Sequence, residues 1–285
     1  MDKVILINKE QGYTSRDIVN ILTKKFNTKK IGHFGTLDPL ATGLLVIGIG
    51  KLTKIGNYLE DESKEYIAEV LVGTSTDTYD ITGNIIKKQN NINLDKSILN
   101  KTLQSFKKTY MQEVPIYSAV KVNGKKLYEY ARANIEVNLP FKSVTIYDIN
   151  LIDICNRDNN LYFKFLTHVS KGTYIRSLIN DISKELNIPL CMSALIRTKQ
   201  GKFSLNDAST LKDIENNNYK LLDIREVIPL KEQEIEKDNE KIIFNGGLIP
   251  FAQNKYILFT KNNKDIVLYG PYKDSMKPYI SFYKN

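Results

Sequence analysis

The chain has 285 residues, with 41 Lys and Arg against 32 Asp and Glu, a formal net charge of +9. That length is enough to bury a sizeable core, and the surplus of positive charge favours a polyanionic partner through long-range attraction and counterion release. Two cysteines, no apolar run of the roughly 18 residues that a membrane span needs, and a start without a signal-peptide layout exclude a disulfide framework and a membrane protein, leaving a cytoplasmic protein as the expectation.

The chain begins with a short buried strand over Val4 to Ile7. A turn through Asn8-Lys9-Glu10-Gln11-Gly12 follows, and Ser15 is the expected N-cap of a helix bearing Ile18, Val19, Ile21, Leu22 and Phe26 at helical spacing. Next comes the stretch Ile31-Gly-His-Phe-Gly-Thr-Leu-Asp-Pro-Leu-Ala-Thr-Gly-Leu44, which runs on into Leu45, Val46, Ile47 and Ile49. Gly32 and Gly35 permit unusual backbone shapes, and Pro39 biases Asp38 towards an extended conformation. Asp38 is therefore expected in a bent loop at the edge of a buried strand. Glycine and proline are also ordinary loop punctuation, so these residues alone leave a structural turn and a reactive site open.

Lys51 to Glu60 reads as a short helix, and Ser63 to Gly73 as a strand with Tyr66, Ala68 and Val70 on one face. Thr74 to Gly83 is polar and turn-rich, with Asp77 and Asp80 among threonines. Asp95 is an expected cap for a helix carrying Ile98, Leu99, Leu103 and Phe106 on one side. Pro115 to Val122 reads as a strand, Asn123-Gly124 as a hairpin turn, and Lys125 to Arg132 as a basic, aromatic helix. Ser143–Ile154 and Leu161–Val169 pair around Asp158-Asn-Asn160. Ser170-Lys-Gly-Thr-Tyr-Ile-Arg176 turns a strand into a helix over Ser177 to Leu186, a corner able to aim Arg176 into a cleft. Pro189 to Phe203 is extended, Asp207 and Ser209 are expected caps, and Lys231 to Lys241 marks a charge-rich boundary. Ile242 to Asn285 reads as short strands with turns at Gly246-Gly247, Asn262-Asn263 and Gly270-Pro271.

The stretch around Asp38 resembles the Gly-His-x-Gly-Thr-Leu-Asp-Pro-x-Ala-x-Gly signature of the TruB family, bacterial tRNA pseudouridine synthases that act on the T-arm uridine at position 55. Supporting segments follow in family order: Asn8-Lys9 with Gly12 and Ser15, Lys64-Glu65-Tyr66, Gly73 with Thr76-Asp77-Thr78 and Asp80, Lys125 to Arg132, Ser170 to Ser177, and Leu195 with Arg197-Thr198. The likeness spans roughly residues 4 to 205. The chain departs from the pattern in lacking a Pro after Lys9, in carrying Phe34 where a small residue is common, and in a short C-terminal block only weakly similar to a PUA-like RNA-binding unit.

The resemblance implies an α+β pseudouridine synthase fold: a mixed, mostly antiparallel sheet flanked by helices, with a catalytic domain over 1–228 and a small β domain over 229–285. It implies isomerisation of uridine in tRNA with Asp38 as catalytic carboxylate. Arg176 would pair with Asp38, with Asp80 as a second partner of that arginine. Tyr66 would pack on the uracil, Tyr174 and Leu195 would line the base pocket, and His33 would stack where the flipped nucleotide had been. Lys9, with Lys24, Lys25, Lys29, Lys30, Lys125 and Lys126, would contact the RNA backbone, and residues 115–140 would form a lid. An isomerisation without redox change or phosphate cleavage demands no metal and no organic cofactor. The expected partner is the T-arm of tRNA, with a monomeric enzyme and no guide RNA. The rivals are a tRNA-binding or folding protein whose catalysis is secondary or lost, and a guide-dependent synthase.

Overall fold

The structure, a computed structural model, describes residues 1–60, 63–250 and 256–283. Strand β1 (Lys3–Lys9) leads into helix α1 (Ser15–Lys25), the short strand β2 (Ile31–His33) and the buried strand β3 (Thr42–Ile49). A tight helical turn over Gly50–Ile55 and helix α2 (Gly56–Glu60) carry the chain to β4 (Lys64–Val72) and the hairpin of β5 (Thr74–Thr76) and β6 (Ile85–Lys88). Helix α3 (Lys96–Ser105) and β7 (Thr109–Glu113) come next. They are followed by the small hairpin β8 (Lys121–Val122) and β9 (Lys125–Lys126), then helix α4 (Leu127–Arg132). The long hairpin β10 (Phe141–Arg157) and β11 (Asn160–Val169), helix α5 (Ile175–Leu186) and β12 (Leu190–Gln200) complete the part that holds the site. β13 (Phe203–Ser204), α6 (Leu211–Glu215), β14 (Leu221–Leu222) and α7 (Ile224–Val227) return the chain to the start of the sheet.

The main sheet runs β14-β1-β3-β12-β4-β11-β10-β7, with β2 added on β3 and β13 on β12. All its pairings are antiparallel except one: β3 and β12 run parallel, in register at Thr42–Ile196 and Gly43–Arg197. This parallel pairing is a seam between two antiparallel halves. The approach there is close. Gly43 has φ +99°, and a Cβ on it would lie 2.4 Å from the Arg197 carbonyl oxygen.

The sheet buries both faces. One carries Ile5, Ile7, Leu45, Ile47, Ala68, Val70 and Phe165 against α1, α3 and α5, to which α5 contributes Leu178, Ile179 and Ile182. Val4, Leu6, Leu44 and Val46 form the other face, with Leu258, Leu268 and Ile280 from a second sheet packed on them. That sheet, ordered β15 (Leu230–Glu234), β17 (Tyr256–Lys261), β18 (Lys264–Tyr272), β19 (Ser275–Ser281) and β16 (Ile249–Pro250), is joined by helix α8 (Lys237–Phe244). Phe34 belongs to this second layer. It is 2% exposed, and its ring lies where Gly48 leaves room, since a Cβ there would sit 2.5 Å from Phe34 Cζ. Burying a phenylalanine contributes about 1.5–3 kcal/mol, so Phe34 anchors the Asp38 stretch to β3 and to the core cluster that the C-terminal sheet joins.

Several local expectations change. Thr14, not Ser15, caps α1 through a reciprocal capping box with Asp17. In residues 115–122 only Lys121–Val122 is strand, because the chain bends after Pro115 and Ser118 N–H closes on the Ile116 carbonyl. Asn123 (φ +50°) and Gly124 (φ +83°) do make the hairpin turn, but Lys125 and Lys126 are strand and the helix begins at Leu127. Ile98 is exposed at 60% while Leu99 and Leu103 face the core. Thr210 caps α6, whereas Asp207 lies in a separate turn and Ser209 N–H bonds to the Leu6 carbonyl. Lys231 to Lys241 is part of β15 and α8. Gly270-Pro271 lies inside β18, and the turn falls at Lys273, which takes the left-handed φ of +50°. Within the expected C-terminal block, residues 251–255 and 284–285 lie outside the described residues. Among the described residues no helix is long and apolar enough to cross a membrane.

The seam makes a prediction that separates backbone strain from collision. Gly12 has φ +90° but open space around it. Gly12→Ala is therefore expected to cost about 1–2 kcal/mol of unfolding free energy, and Gly43→Ala more than about 3 kcal/mol. Urea unfolding followed by circular dichroism measures both; equal losses would contradict the close approach of β3 and β12.

Candidate active site

Asp38 sits in the loop between β2 and β3, and every part of that loop is tied down. Ser15 Oγ accepts from Leu37 N–H at 2.9 Å and lies 3.3 Å from the Leu37 carbonyl. Gly12 N–H donates to the Pro39 carbonyl at 2.9 Å, and Ala41 N–H to the Asp38 carbonyl at 3.0 Å. Gly35 carries the left-handed backbone, φ +100°, while Gly32 is an ordinary strand residue of β2, contrary to expectation.

Lys9 is not on the surface. It is fully buried, and its ammonium donates to the Glu10 carbonyl at 3.0 Å and the Tyr13 carbonyl at 2.7 Å. In that position it organises the turn before α1 and is out of reach of an RNA backbone outside. The apolar surroundings disfavour its charge, lowering its pKa to about 8; the field of Asp38 opposes this and that of Arg197 adds to it.

Arg176, on the first turn of α5, is 6% exposed and holds three segments at once. Nε donates to Asp38 Oδ2 at 2.9 Å, Nη1 to the Thr78 carbonyl at 3.1 Å, and Nη2 to the Tyr117 carbonyl at 2.9 Å. The corner that aims it is itself braced. Tyr174 N–H donates to Gln112 Oε1 at 2.8 Å, Gln112 donates to the Tyr110 hydroxyl at 2.8 Å, and that hydroxyl donates to Asp181 at 3.2 Å. A cation at a helix N-terminus opposes the helix dipole, and the carboxylates facing Arg176 offset this.

Asp80 is the second of these. Its Oδ2 lies 4.0 Å from Arg176 Nε, while Oδ1 accepts from Thr78 Oγ1 at 2.9 Å and from Thr82 Oγ1 at 2.6 Å and N–H at 2.9 Å. The threonines thus serve turn chemistry, and the turn presents Asp80 and the Thr78 carbonyl to the arginine. Tyr79, at φ +64°, is strained for a bulky residue. Its carbonyl accepts from Met192 N–H, which pins the turn to β12.

Asp38 is half-open, its side chain 39% exposed against 7% for Arg176. It borders a pocket of about 200 Å³ that also presents Tyr66, Tyr174, Leu195 and Ala119. Tyr66 and Leu195 are each 7% exposed. They come from neighbouring strands, β4 and β12, and Tyr66 pairs with Arg197 in the ladder. His33 lies in an adjoining pocket that shares Tyr66 and Tyr174 with the first. Burial, and then the charges of Arg16 and Arg197, hold its imidazole below the ordinary value. The structure therefore gathers Asp38, Arg176, Asp80, Tyr66, Tyr174 and Leu195 at one site, sets His33 beside it, and puts Lys9 beneath it.

Arg197 enters the sequence reading only as part of a matching segment, without a role, and Gln112 does not enter it. Gln112 is 1% exposed in an edge strand that carries no recognisable pattern. Arg197 is 1% exposed in a strand that runs through the centre of the main sheet, a position where a charge is itself a signal.

The chain is similar to known proteins of one family. The model of the TruB family pseudouridylate synthase N-terminal domain matches residues 23–175. The protein named tRNA pseudouridine synthase B of Bacillus subtilis (strain 168) is 47% identical over 214 residues, 74% of this chain and 69% of that protein. The protein of that name from Fusobacterium nucleatum subsp. nucleatum is 43% identical over 260 residues, 89% of each chain. Two solved structures share the fold. An H/ACA RNP bound to a substrate RNA containing 2'-deoxyuridine has a chain with TM-score 0.68 at 18% identity, covering 99% of this chain and 85% of its own. A Cbf5-Nop10-Gar1 complex has one with TM-score 0.69 at 20% identity, covering 99% and 84%.

The buried ammonium of Lys9 gives a pH prediction. Its folded pKa of about 8 lies below the usual 10.5, so between those values the unfolded chain binds the proton and the folded chain does not. Stability from this group therefore rises with pH across that window. The stability of the wild type relative to Lys9→Met is expected to increase from pH 7.5 to pH 9.5 in urea unfolding. A difference that does not change with pH would refute the buried, shifted ammonium.

Proposed function

The chain belongs to the TruB family of pseudouridylate synthases, and we propose that it isomerises uridine to pseudouridine at position 55 in the T-arm of tRNA, with Asp38 as the catalytic carboxylate. The observation that carries the reading is the Asp38–Arg176 pair, at 2.9 Å, on the wall of a pocket lined by Tyr66, Tyr174 and Leu195. One oxygen of Asp38, Oδ2, is committed to the guanidinium, and among the described residues the other takes no hydrogen bond.

A base inside a folded RNA arm has to leave its stack to reach such a pocket. In the proposed reaction the uracil lies on the Tyr66 ring, and His33 fills the space left in the loop. The carboxylate of Asp38 acts as nucleophile towards an electron-poor carbon and then as leaving group. The N1–C1′ bond breaks, the uracil turns, a C5–C1′ bond forms, and the C5 proton is lost while N1 regains one, so atoms balance without a cofactor. Arg176 orients Asp38 throughout, and Asp80 with its threonines holds the arginine from behind.

The enzyme of this proposal works alone, as a cytoplasmic monomer without a guide RNA. The tRNA-modifying names of relatives matched over most of their length favour tRNA as substrate and favour catalysis over a binding role alone. The remaining lysines named from the sequence, on α1, after it and on β9, are its candidate phosphate contacts. Tyr128 on α4 is flanked by Lys126 Nζ at 5.4 Å and Arg132 at 5.3 Å, a cationic-aromatic surface suited to RNA. Residues 115–140 act as a lid hinged where the Tyr117 carbonyl meets Arg176 and where Leu127 is buried.

Asp38→Asn is expected to abolish tritium release from C5-labelled uridine in a T-arm stem-loop while leaving RNA affinity within about threefold, since the amide keeps the shape and most hydrogen bonds; retained turnover would remove Asp38 from its role. For the lid, amides of residues 117–135 are expected to exchange faster than the core in the free protein and to slow on addition of the stem-loop. Equal protection with and without RNA would contradict closure.

A further inference from the structure

Beside the base pocket lies a second one, of about 300 Å³, sharing Thr36, Tyr66, Thr173 and Tyr174 with it. The rest of its lining includes His33, Lys64, Lys171 and Arg197, with Gly35 and Gly172 between them. Among the described residues that line it there are three cationic side chains and no carboxylate.

Arg197 is the telling member. It is 1% exposed, yet among the described residues it makes no ion pair. Nε donates to the Leu44 carbonyl at 2.7 Å and Nη2 to the Gly35 carbonyl at 3.2 Å, while Nη1 takes part in neither bond. Lys9, buried nearby, is held among the described residues by two carbonyls. Burying cations without counter-charges is costly. His33 Nδ1 is buried too, and among the described residues it has no hydrogen-bond partner. It belongs to an imidazole that burial and the neighbouring cations keep neutral, so its ring can donate one hydrogen bond. Gly35 keeps the space open, since a Cβ there would come within 3.4 Å of Arg197 Nη1 and 3.6 Å of Lys64 Cε. Gly172, at φ +80°, has nothing within 4 Å of the corresponding position.

We propose that this second pocket receives a phosphodiester group flanking the nucleotide whose base enters the first, with Arg197, Lys64 and Lys171 supplying the countercharge and His33 a neutral hydrogen bond. The inference rests on the base-flipping reading above. A phosphodiester matches the pocket in sign, in its acceptor oxygens, and in being linked to a base next door. It adds the anion that Arg197 lacks. The site also couples two events: a base reaches Asp38 in register only when its own backbone phosphate is seated, so the pocket positions the substrate and Arg197 is a positioning residue.

The test uses T-arm stem-loops carrying a single uncharged methylphosphonate linkage, either 5′ or 3′ of the target uridine. Affinity is measured with Asp38→Asn, which does not turn the RNA over, and tritium release with the wild type. One of the two neutral linkages is expected to weaken binding about tenfold or more, as loss of a charge-assisted contact does, and the other less than about twofold. In Lys171→Gln or Arg197→Met, added to the Asp38→Asn protein and checked for folding by circular dichroism, the native stem-loop binds more weakly. The extra penalty of the sensitive linkage then falls below about threefold, because the contact is already lost. Insensitivity to both linkages overturns the proposal, as does a full penalty in both variants. Should the wild type release no tritium from the native stem-loop while the linkage and the side chains remain coupled in binding, the isomerase reading fails and the phosphate site stands.

Discussion

The guanidinium of Arg176 is the constraint on which the site depends. It reaches the Asp38 loop, the turn between β5 and β6, and the segment after β7 from one point on α5. Only a planar fork with several donors can hold three acceptors on separate segments; a lysine in its place would be a point charge with no fixed directions. The pair is also asymmetric, with a buried arginine and a half-open aspartate. The arginine therefore belongs to the framework, and the carboxylate keeps one face for a substrate. Removing the arginine would leave a carboxylate without its partner and two carbonyls without donors, which is why such pairs are destabilising to break.

That framework is laid across a seam. The parallel contact of β3 with β12 joins two antiparallel halves, one leading from the Asp38 loop and the other carrying Tyr66, Leu195 and Arg197. The halves come together so tightly that Gly43 has no room for a side chain. Close packing of this kind fixes distances between groups far apart in the chain, 138 residues in the case of Asp38 and Arg176. The C-terminal sheet packs into the core cluster behind β1 and β3, which also holds Phe34 seated over Gly48.

The cleft buries charges of both signs. Asp38 and Asp80 face Arg176, while the buried Lys9 and Arg197 donate to backbone carbonyl oxygens. In a protein interior each of these charges acts over a longer range than at a surface. Their sum favours an approaching anion, which fits a polyanionic substrate and places the attraction next to the reacting group as well as on the outer surface.

Much of this was legible in the residues alone, because the information is local. The Asp38 loop, the Tyr66 strand, the Arg176 corner and the pairing of β10 with β11 follow from period, turn chemistry and an ordered set of motifs in which each piece depends on its near neighbours. Phe34 had no explanation at that level, since the space it fills over Gly48 is set by strand pairing and the cluster it joins draws on segments distant in the chain. Lys9 read as a surface cation because lysines usually are, and only the packing of the Gly12 turn against the Asp38 loop buries it. The sequence by itself determined which groups carry charge and which backbone positions can bend. The tertiary structure alone decided which of those charges meet, which are enclosed and which are left without a partner, because burial and pairing are properties of contacts between segments and not of any segment taken singly.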